Sequence, residues 1–316
     1  MIDGQVQLSG QDLLDGLPRG RPDQVRAYFH LLGDRQIAET ATNYRVHWLT
    51  SDANGRHRTS ALAAHLYHRI TDYCIPRSRL EDARREDARD GGSVQMMRLQ
   101  EEARRLFLES NTSGEGGELL LFFLLEAELG LPQILSKMSL KTSSDMPIHG
   151  VDGVHAGVDE SGRLSVYWGE SKLYQDFQSA LTNCFDSIAP FLIDNGSGPV
   201  HRDLVLVRDH LDLGEREATL ELVKYFTDDQ PERLGIEVRG ACLVGFSYDD
   251  FAVPFESDGS TVLAAVHAQI DGWARSVKSR IANRNIANFT IEFFCLPLPS
   301  IVELRDEFQR LLGHAT

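Results

Sequence analysis

Three short segments carry side chains that could act together. Glu118 sits inside the apolar run GEGGELLLFFLLE, Asp152 stands in GVDGVH, and Glu170-Ser171-Lys172 lie in VYWGESKLY. On a strand, alternate residues share a face, so Glu170 and Lys172 point together and Ser171 points the other way. The neighbours Val166, Trp168, Leu173 and Tyr174 mark that strand as buried, where charged groups are costly unless they meet a partner or an ion. Asp159-Glu160-Ser161-Gly162 reads as a hairpin turn, which sets Asp152 on the adjoining strand and lets its carboxylate approach that of Glu170. Two close carboxylates repel, and a hard cation such as Mg2+ (or Mn2+) relieves the repulsion. Such an ion can bind a phosphate oxygen, orient a water and stabilise an in-line displacement. A lysine beside it lowers the cost of forming hydroxide or holds the developing charge. Glu118, from a helix packed on the sheet, would complete the acidic cluster. The candidate metal ligands are therefore Glu118, Asp152 and Glu170, and Lys172 joins them as the fourth catalytic residue. An E-x-K triplet alone is common. Its specificity comes from an Asp 18 residues earlier, across a readable hairpin, and from the Glu in the preceding apolar run. The competing reading is a structural ion network in a half-buried sheet.

Several neighbours are weaker candidates. Glu115 is one turn before Glu118 and could replace or assist it. Asp145 is a loop acid, His149 and His155 flank Asp152 without further zinc ligands in view, and Tyr174 and Gln175 follow the E-x-K strand. The best basic stretches are Arg77, Arg79, Arg84, Arg85, interleaved with acids, and Arg275, Lys278, Arg280, Arg284, with no acid from Ala274 to Ile291. Either could touch phosphates. No glycine loop with the context of a nucleotide site is present.

The elements that must position these residues are readable from hydrophobic spacing. Residues 1–42 read as a helical start with Gly/Pro breaks at Gly16–Gly20. Residues 58–74 place Leu62, Leu66, Ile70 and Tyr73 on one helix face, ended by Pro76. Residues 78–90 read as a solvated helix laced with opposite charges, and 94–109 resume helical spacing. Glu118–Leu129 is apolar on most sides and should be a buried helix. Strands are expected at Met138–Thr142, Gly150–Val158 and Leu164–Tyr174, then a helix from Gln175 to Ile188 ending at Pro190. After a loop at 194–199 come a strand or short helix at Leu204–Arg208 and a helix near 214–226. Strands near 239–248 and 289–297 enclose a helix near 260–282, and a last helix covers 301–312. The order predicts an α/β fold: a mixed central sheet flanked by helices over 111–316, with a mainly helical N-terminal region over 1–110.

The 316 residues, 42% hydrophobic and 25% charged, can bury a sizeable core. The four cysteines are far apart and read as buried thiols. With no signal peptide and no apolar run of membrane length, cytoplasm is the expected compartment and no membrane partner is expected. The net charge of −15 falls on residues 111–316, which hold 16 basic and 31 acidic residues; residues 1–110 balance 16 Arg against 16 acids. A protein that coats DNA unaided usually carries a basic balance. A DNA substrate would therefore need a local patch or a partner that delivers the strand.

GEGGELLLFFLLE, SDMPIHGVDGVHAG and YWGESKLY together resemble the PD-(D/E)xK nuclease superfamily. More narrowly, they are similar to the HamA family, the nuclease effectors of Hachiman anti-phage defence systems. The likeness is closest over residues 113–190. It implies a restriction-endonuclease-like core in which Asp152, Glu170 and Lys172 take the D…E-x-K roles and Glu118 is the helix carboxylate. It also implies a metal-dependent endodeoxyribonuclease with little sequence preference, restrained by a superfamily 2 helicase partner that brings the DNA. One departure is Val151, where the superfamily's motif has proline. Two other readings follow from the same residues: a catalytically inactive nuclease-fold scaffold or sensor subunit of a helicase complex, and a site-specific restriction-type enzyme, which the acidic balance disfavours.

Overall fold

The computed structural model describes residues 10–110, 114–135, 138, 152–159, 161–193, 199–227, 235–251 and 259–313. One seven-stranded mixed sheet organises them. Its strands are β1 (Phe29–Gln36), β2 (Thr42–Leu49), β3 (Gln133–Leu135), β4 (Gly153–Val158), β5 (Leu164–Tyr174), β6 (Glu237–Ser247) and β7 (Ile291–Leu298), in the spatial order β1-β2-β7-β6-β5-β4-β3. The four central strands β2, β7, β6 and β5 are parallel, and the outer strands at both sides are antiparallel. Parallel neighbours need crossover connections, and helices supply them. Buried residues dominate these central strands, as β7 shows with IEFFCLPL buried throughout.

The helices are α1 (Gly10–Leu14), α2 (Pro22–Arg26), α3 (Thr59–Cys74), α4 (Arg77–Asp90), α5 (Val94–Ser110), α6 (Glu115–Ala127), α7 (Phe177–Ile193), α8 (Pro199–His210), α9 (Arg216–Lys224), α10 (Gly259–Asn283) and α11 (Ile301–Leu312). Helix α6 packs on β4, β5 and β6 and against α3, while α7 packs on β5 and β6 and against α10. Leu119 to Leu125 of α6 are each at most 2% exposed, as an all-round apolar run requires. Its close approach to the sheet depends on glycine: a Cβ at Gly117 would lie 3.0 Å from Ser171 Oγ and 3.1 Å from Leu173 Cγ.

From residue 58 onward the predicted elements that lie within the described residues are found, with small changes at their ends. The hairpin is present: Asp159 N–H donates to Arg163 O and Gly162 N–H to Asp159 O, with Gly162 at φ +81°. Leu204–Arg208 is helical, within α8. Pro190 does not end its helix, since α7 runs on to Ile193. The strand expected at Met138–Thr142 falls outside the described residues except for Met138, which is helical. A short strand at Gln133–Leu135 pairs with β4 instead.

Among the described residues 10–42, helix lies on either side of the Gly16–Gly20 break and then gives way to strand. Two five-residue helices are followed by β1, and β2 then pairs with β7, so the N-terminal stretch contributes two strands to the common sheet. The signal for β2 is present in TNYRVHWL, where Tyr44, Val46 and Trp48 recur at every second position. Strand β1 carries no such alternation, because most of its residues lie exposed or half-buried at the sheet's edge. The charge-laced helix α4 is present, but one of its acids is structural. Buried Asp87 accepts the backbone N–H groups of Gln95 and Met96, each at 2.9 Å, at the start of α5. All four cysteines are buried and free. Among the described residues, no helix is long and apolar enough to cross a membrane.

Candidate functional site

Strand β5 runs past the end of its neighbour. The antiparallel ladder between β4 and β5 ends at the pair Gly153↔Gly169, whereas β5 continues to Tyr174. Beyond that point the Asp152 carboxylate takes over the pairing. Its Oδ2 accepts the Ser171 backbone N–H and the Ser171 hydroxyl, both at 2.7 Å, while its own N–H donates to Gly169 O at 2.7 Å. A charge-assisted pair of this kind fixes the carboxylate at the rim of the sheet.

Glu170 and Lys172 share the opposite face of β5 from Ser171 and Leu173. Ser171 and Leu173 meet Gly117 of α6, whereas Glu170 lies against α7, hydrogen-bonded by Ser187, with Cys184 Sγ 3.6 Å from its carbonyl oxygen. The Lys172 ammonium donates to Glu170 Oε1 in an ion pair whose side chains are 22% and 4% exposed. Lys172 is therefore turned to its carboxylate and not into solvent.

The charges are unequally accommodated. Burial pushes the Glu170 carboxyl up to about 7, the nearby Asp152 charge pushes in the same direction, and Lys172 only partly offsets them. Burial works against the Lys172 charge, but Glu170 and then Asp152 outweigh it and hold its ammonium above the usual lysine range. The asymmetry has a plain origin. Lys172 faces two negative groups, whereas the more deeply buried Glu170 faces one positive and one negative.

Glu118 belongs to the α6 side and reaches Asp152 through Tyr73 of α3. The Tyr73 hydroxyl donates to Glu118 Oε2 at 2.8 Å and lies 3.2 Å from the Asp152 carbonyl oxygen. Burial, then the charges of Glu118 and Asp152, push that phenol well above its ordinary range, so it stays a donor. The structure thus joins Asp152 to Glu170 and Lys172 electrostatically, and Glu118 to Asp152 through one hydroxyl. Among the described residues, no three His, Cys, Asp or Glu side chains gather as a metal-ligating group. The pair Asp152 and Glu170 could hold a hard cation, because the Asp152 charge disfavours that of Glu170 in a site that burial already makes costly. Mg2+ takes one or two protein carboxylates and completes its shell with water and phosphate.

The weaker candidates separate cleanly. His155 is buried, its Nδ1–H donates to Leu131 O at 2.9 Å, and burial pulls its pKa down to about 4, so it is a neutral core histidine. Asp145, His149 and the Glu115 side chain fall outside the described residues. Tyr174 is exposed at the end of β5. The basic side of α10 is largely engaged: Arg284 pairs with Asp186, Arg280 Nε donates to Thr182 Oγ1 at 3.2 Å, and Lys278 pairs with Glu39 at 3.0 Å. Arg79 and Arg85 likewise pair with Glu102 and Asp82.

Sequence reasoning missed Tyr73, Ser171 and Ser187 as partners of the acids. Tyr73 reads from spacing as one more apolar position of its helix, and nothing local reveals where its hydroxyl goes. It also missed Glu126, a 1% exposed carboxylate whose Oε1 accepts Gln133 N–H at 2.9 Å and which pairs with Arg19 at 3.4 Å. Comparison with known proteins finds that the model of one family, HamA, matches residues 26–312. No curated protein matches the chain.

Proposed function

The chain belongs to the HamA family, which supports a role in Hachiman anti-phage defence, and we propose that it acts there as a metal-dependent DNA nuclease. It hydrolyses phosphodiester bonds with little sequence preference and is restrained by a superfamily 2 helicase partner. One observation carries the reading. Glu170 is buried, charged against Asp152 and flanked by Lys172, an arrangement that a structural ion pair does not need and a divalent cation relieves. Asp152 and Glu170 would hold Mg2+ or Mn2+, with Glu118 adding negative charge from the α6 side. The bound ion would supply Lewis-acid contact to a phosphate oxygen and a water of lowered pKa.

The chain's own residues do the rest. Ser171 holds Asp152 in place through two hydrogen bonds, so the carboxylate pays little reorganisation when a ligand arrives. Lys172, only partly exposed, keeps a positive charge beside the carboxylates and can stabilise charge developing on a phosphate. Tyr73 couples Glu118 to the Asp152 backbone and orients both. The net charge of −15, and the internal pairing of the α10 cations, favour delivery of DNA by the partner over capture by this chain alone.

The test uses plasmid DNA with Mg2+ or Mn2+, on the chain freed from its partner. The wild type is expected to nick or degrade the plasmid, and Glu170→Ala and Lys172→Ala to remain folded and inactive. A folded wild type that leaves DNA intact under every release condition, with both variants still supporting defence, would make the chain a scaffold or sensor subunit.

A further inference from the structure

A cleft lies where the α3–α4 connection meets β3 and the end of α8. It is small, with a cavity volume of about 20 Å³, is open in part to solvent, and is lined by Arg19, Arg77, Gln133, His210 and Asp212 among others. Its buried polar atoms are donors left without acceptors: Arg77 Nε and Nη2, Arg19 Nε and Gln133 Nε2. Gln133 is 4% exposed. A guanidinium has no lone pair to offer, so its missing partner must be an acceptor.

The carboxylates at hand are already engaged. Glu126 Oε1 accepts the Gln133 backbone N–H, and its Oε2 accepts the Arg19 backbone N–H. Asp212 Oδ2 accepts the Ser78 N–H and hydroxyl at 2.8 Å each, and its Oδ1 accepts the Gly214 N–H at 2.8 Å. Arg77 is a largely buried cation beside a second cation, and the charges of Glu126, Glu81 and Asp212 offset this only in part. Burial, and next the charge of Arg19, pull its pKa below the usual arginine value. Unsatisfied buried donors of this kind are expensive, and charged ones most of all. One water offers two lone pairs and no charge. A tetrahedral oxyanion offers several acceptor oxygens to the unsatisfied donors of the two guanidinium edges, in the geometry arginine is built to grip.

We propose that this cleft is a binding site for a phosphoryl-type oxyanion, gripped by Arg77 and Arg19 with Gln133 as a neutral donor. Its position adds meaning. Gln133 pairs with His155 across β3 and β4, and Asp152 lies three residues further along, roughly 10 Å at about 3.3 Å per residue. The pocket therefore lies at the β3 edge of the sheet, two strands from β5. The ligand is either a phosphate of a nucleic-acid strand that also reaches the acids, or a free phosphate-bearing anion. The proposal stands on the cleft alone and does not require the nuclease reading.

The experiment uses the full chain in EDTA, so that no metal and no cleavage enter. Inorganic phosphate is titrated by calorimetry and by its effect on thermal unfolding, for wild type, Arg77→Gln and Arg77→Lys. Phosphate is expected to bind and stabilise the wild type. Arg77→Gln should weaken binding by about tenfold or more, as loss of charged hydrogen bonds implies, and Arg77→Lys by less because it keeps the charge without the fork. A 5′-phosphorylated dinucleotide that binds better than its unphosphorylated form, and is displaced by phosphate, identifies the nucleic-acid source; phosphate binding without that preference identifies the free anion. If phosphate fails to bind the wild type, or binds Arg77→Gln as well as wild type, the cleft is a water-filled gap and the proposal is overturned. Should Arg77→Gln not fold, unchanged phosphate affinity in Arg77→Lys overturns it equally.

Discussion

Replacing Glu170 by Gln offers a quantitative check on the electrostatics of the site. A glutamine keeps the shape and cannot ionise. The wild-type carboxyl titrates at about 7 in the folded chain against 4.5 as its ordinary value. At about 1.4 kcal/mol per pH unit, that displacement is worth roughly 3 kcal/mol as an upper bound. The sign follows from linkage. A raised folded pKa means that the folded state holds its proton longer than the unfolded chain. Its stabilising contribution is complete below pH 4.5, shrinks as pH rises, and is gone above about pH 7. The wild type should therefore lose stability relative to Glu170→Gln on going from acid to alkaline pH. Constant effects of the substitution, such as the altered partner of Lys172, cancel in that difference. Between pH 5.5 and pH 8 the two proteins should diverge by about 2 kcal/mol, since only the part of the interval up to about 7 contributes. Urea denaturation in EDTA at both pH values measures it. Parallel curves for the two proteins would show that neither burial nor Asp152 strains this carboxylate, and the argument for a cation there would fall with it.

Three further outcomes follow from the same geometry. Mg2+ or Mn2+ should stabilise the wild type against heat, bind more tightly as pH rises through about 7, and release protons from Glu170 on binding; calorimetry in buffers of different ionisation enthalpy reads the proton count, and a pH-independent affinity in Asp152→Asn and wild type alike would contradict it. Tyr73→Phe removes the hydroxyl shared by Glu118 and the Asp152 carbonyl, and should cost about 1–3 kcal/mol of stability and lower cleavage rate more than DNA binding; equal stability to wild type would show that the hydroxyl does not hold the two acids. Glu126→Ala strands Arg19 and the Gln133 N–H in a buried setting and should cost about 3–5 kcal/mol, so a melting temperature near wild type would refute the ion pair's structural role.

Much of the architecture from residue 58 onward was legible because its signals are local. The hairpin at 159–163 declares itself by turn chemistry, and β5 by an apolar run with Glu170 and Lys172 two apart. Helix α6 is recognisable by being apolar all round. The N-terminal strands were not legible in the same way. Strand β1 has an exposed edge without alternation, and β2, which does alternate, has its pairing partner β7 about 250 residues later in the chain. Pro190 shows the opposite failure, where a strong local stop signal yields to the burial of Phe191 and Leu192 on the sheet.

At the site, local pattern suffices to say which side chains share a face, because a strand's period of two admits no other arrangement for Glu170, Ser171 and Lys172. What each face meets depends on how distant elements pack. Glu170 falls against α7, Ser171 falls against α6 and binds Asp152, and Tyr73 bridges Glu118 to the Asp152 carbonyl. The partners of Asp152 and Tyr73 lie 19 to 79 residues apart, and a hydrogen bond across such a separation is set by how helices seat on the sheet, which no local pattern encodes. The stranded donors of Arg77 arise in the same way, since which of its nitrogens lack an acceptor becomes a fact only when the whole fold has closed around them.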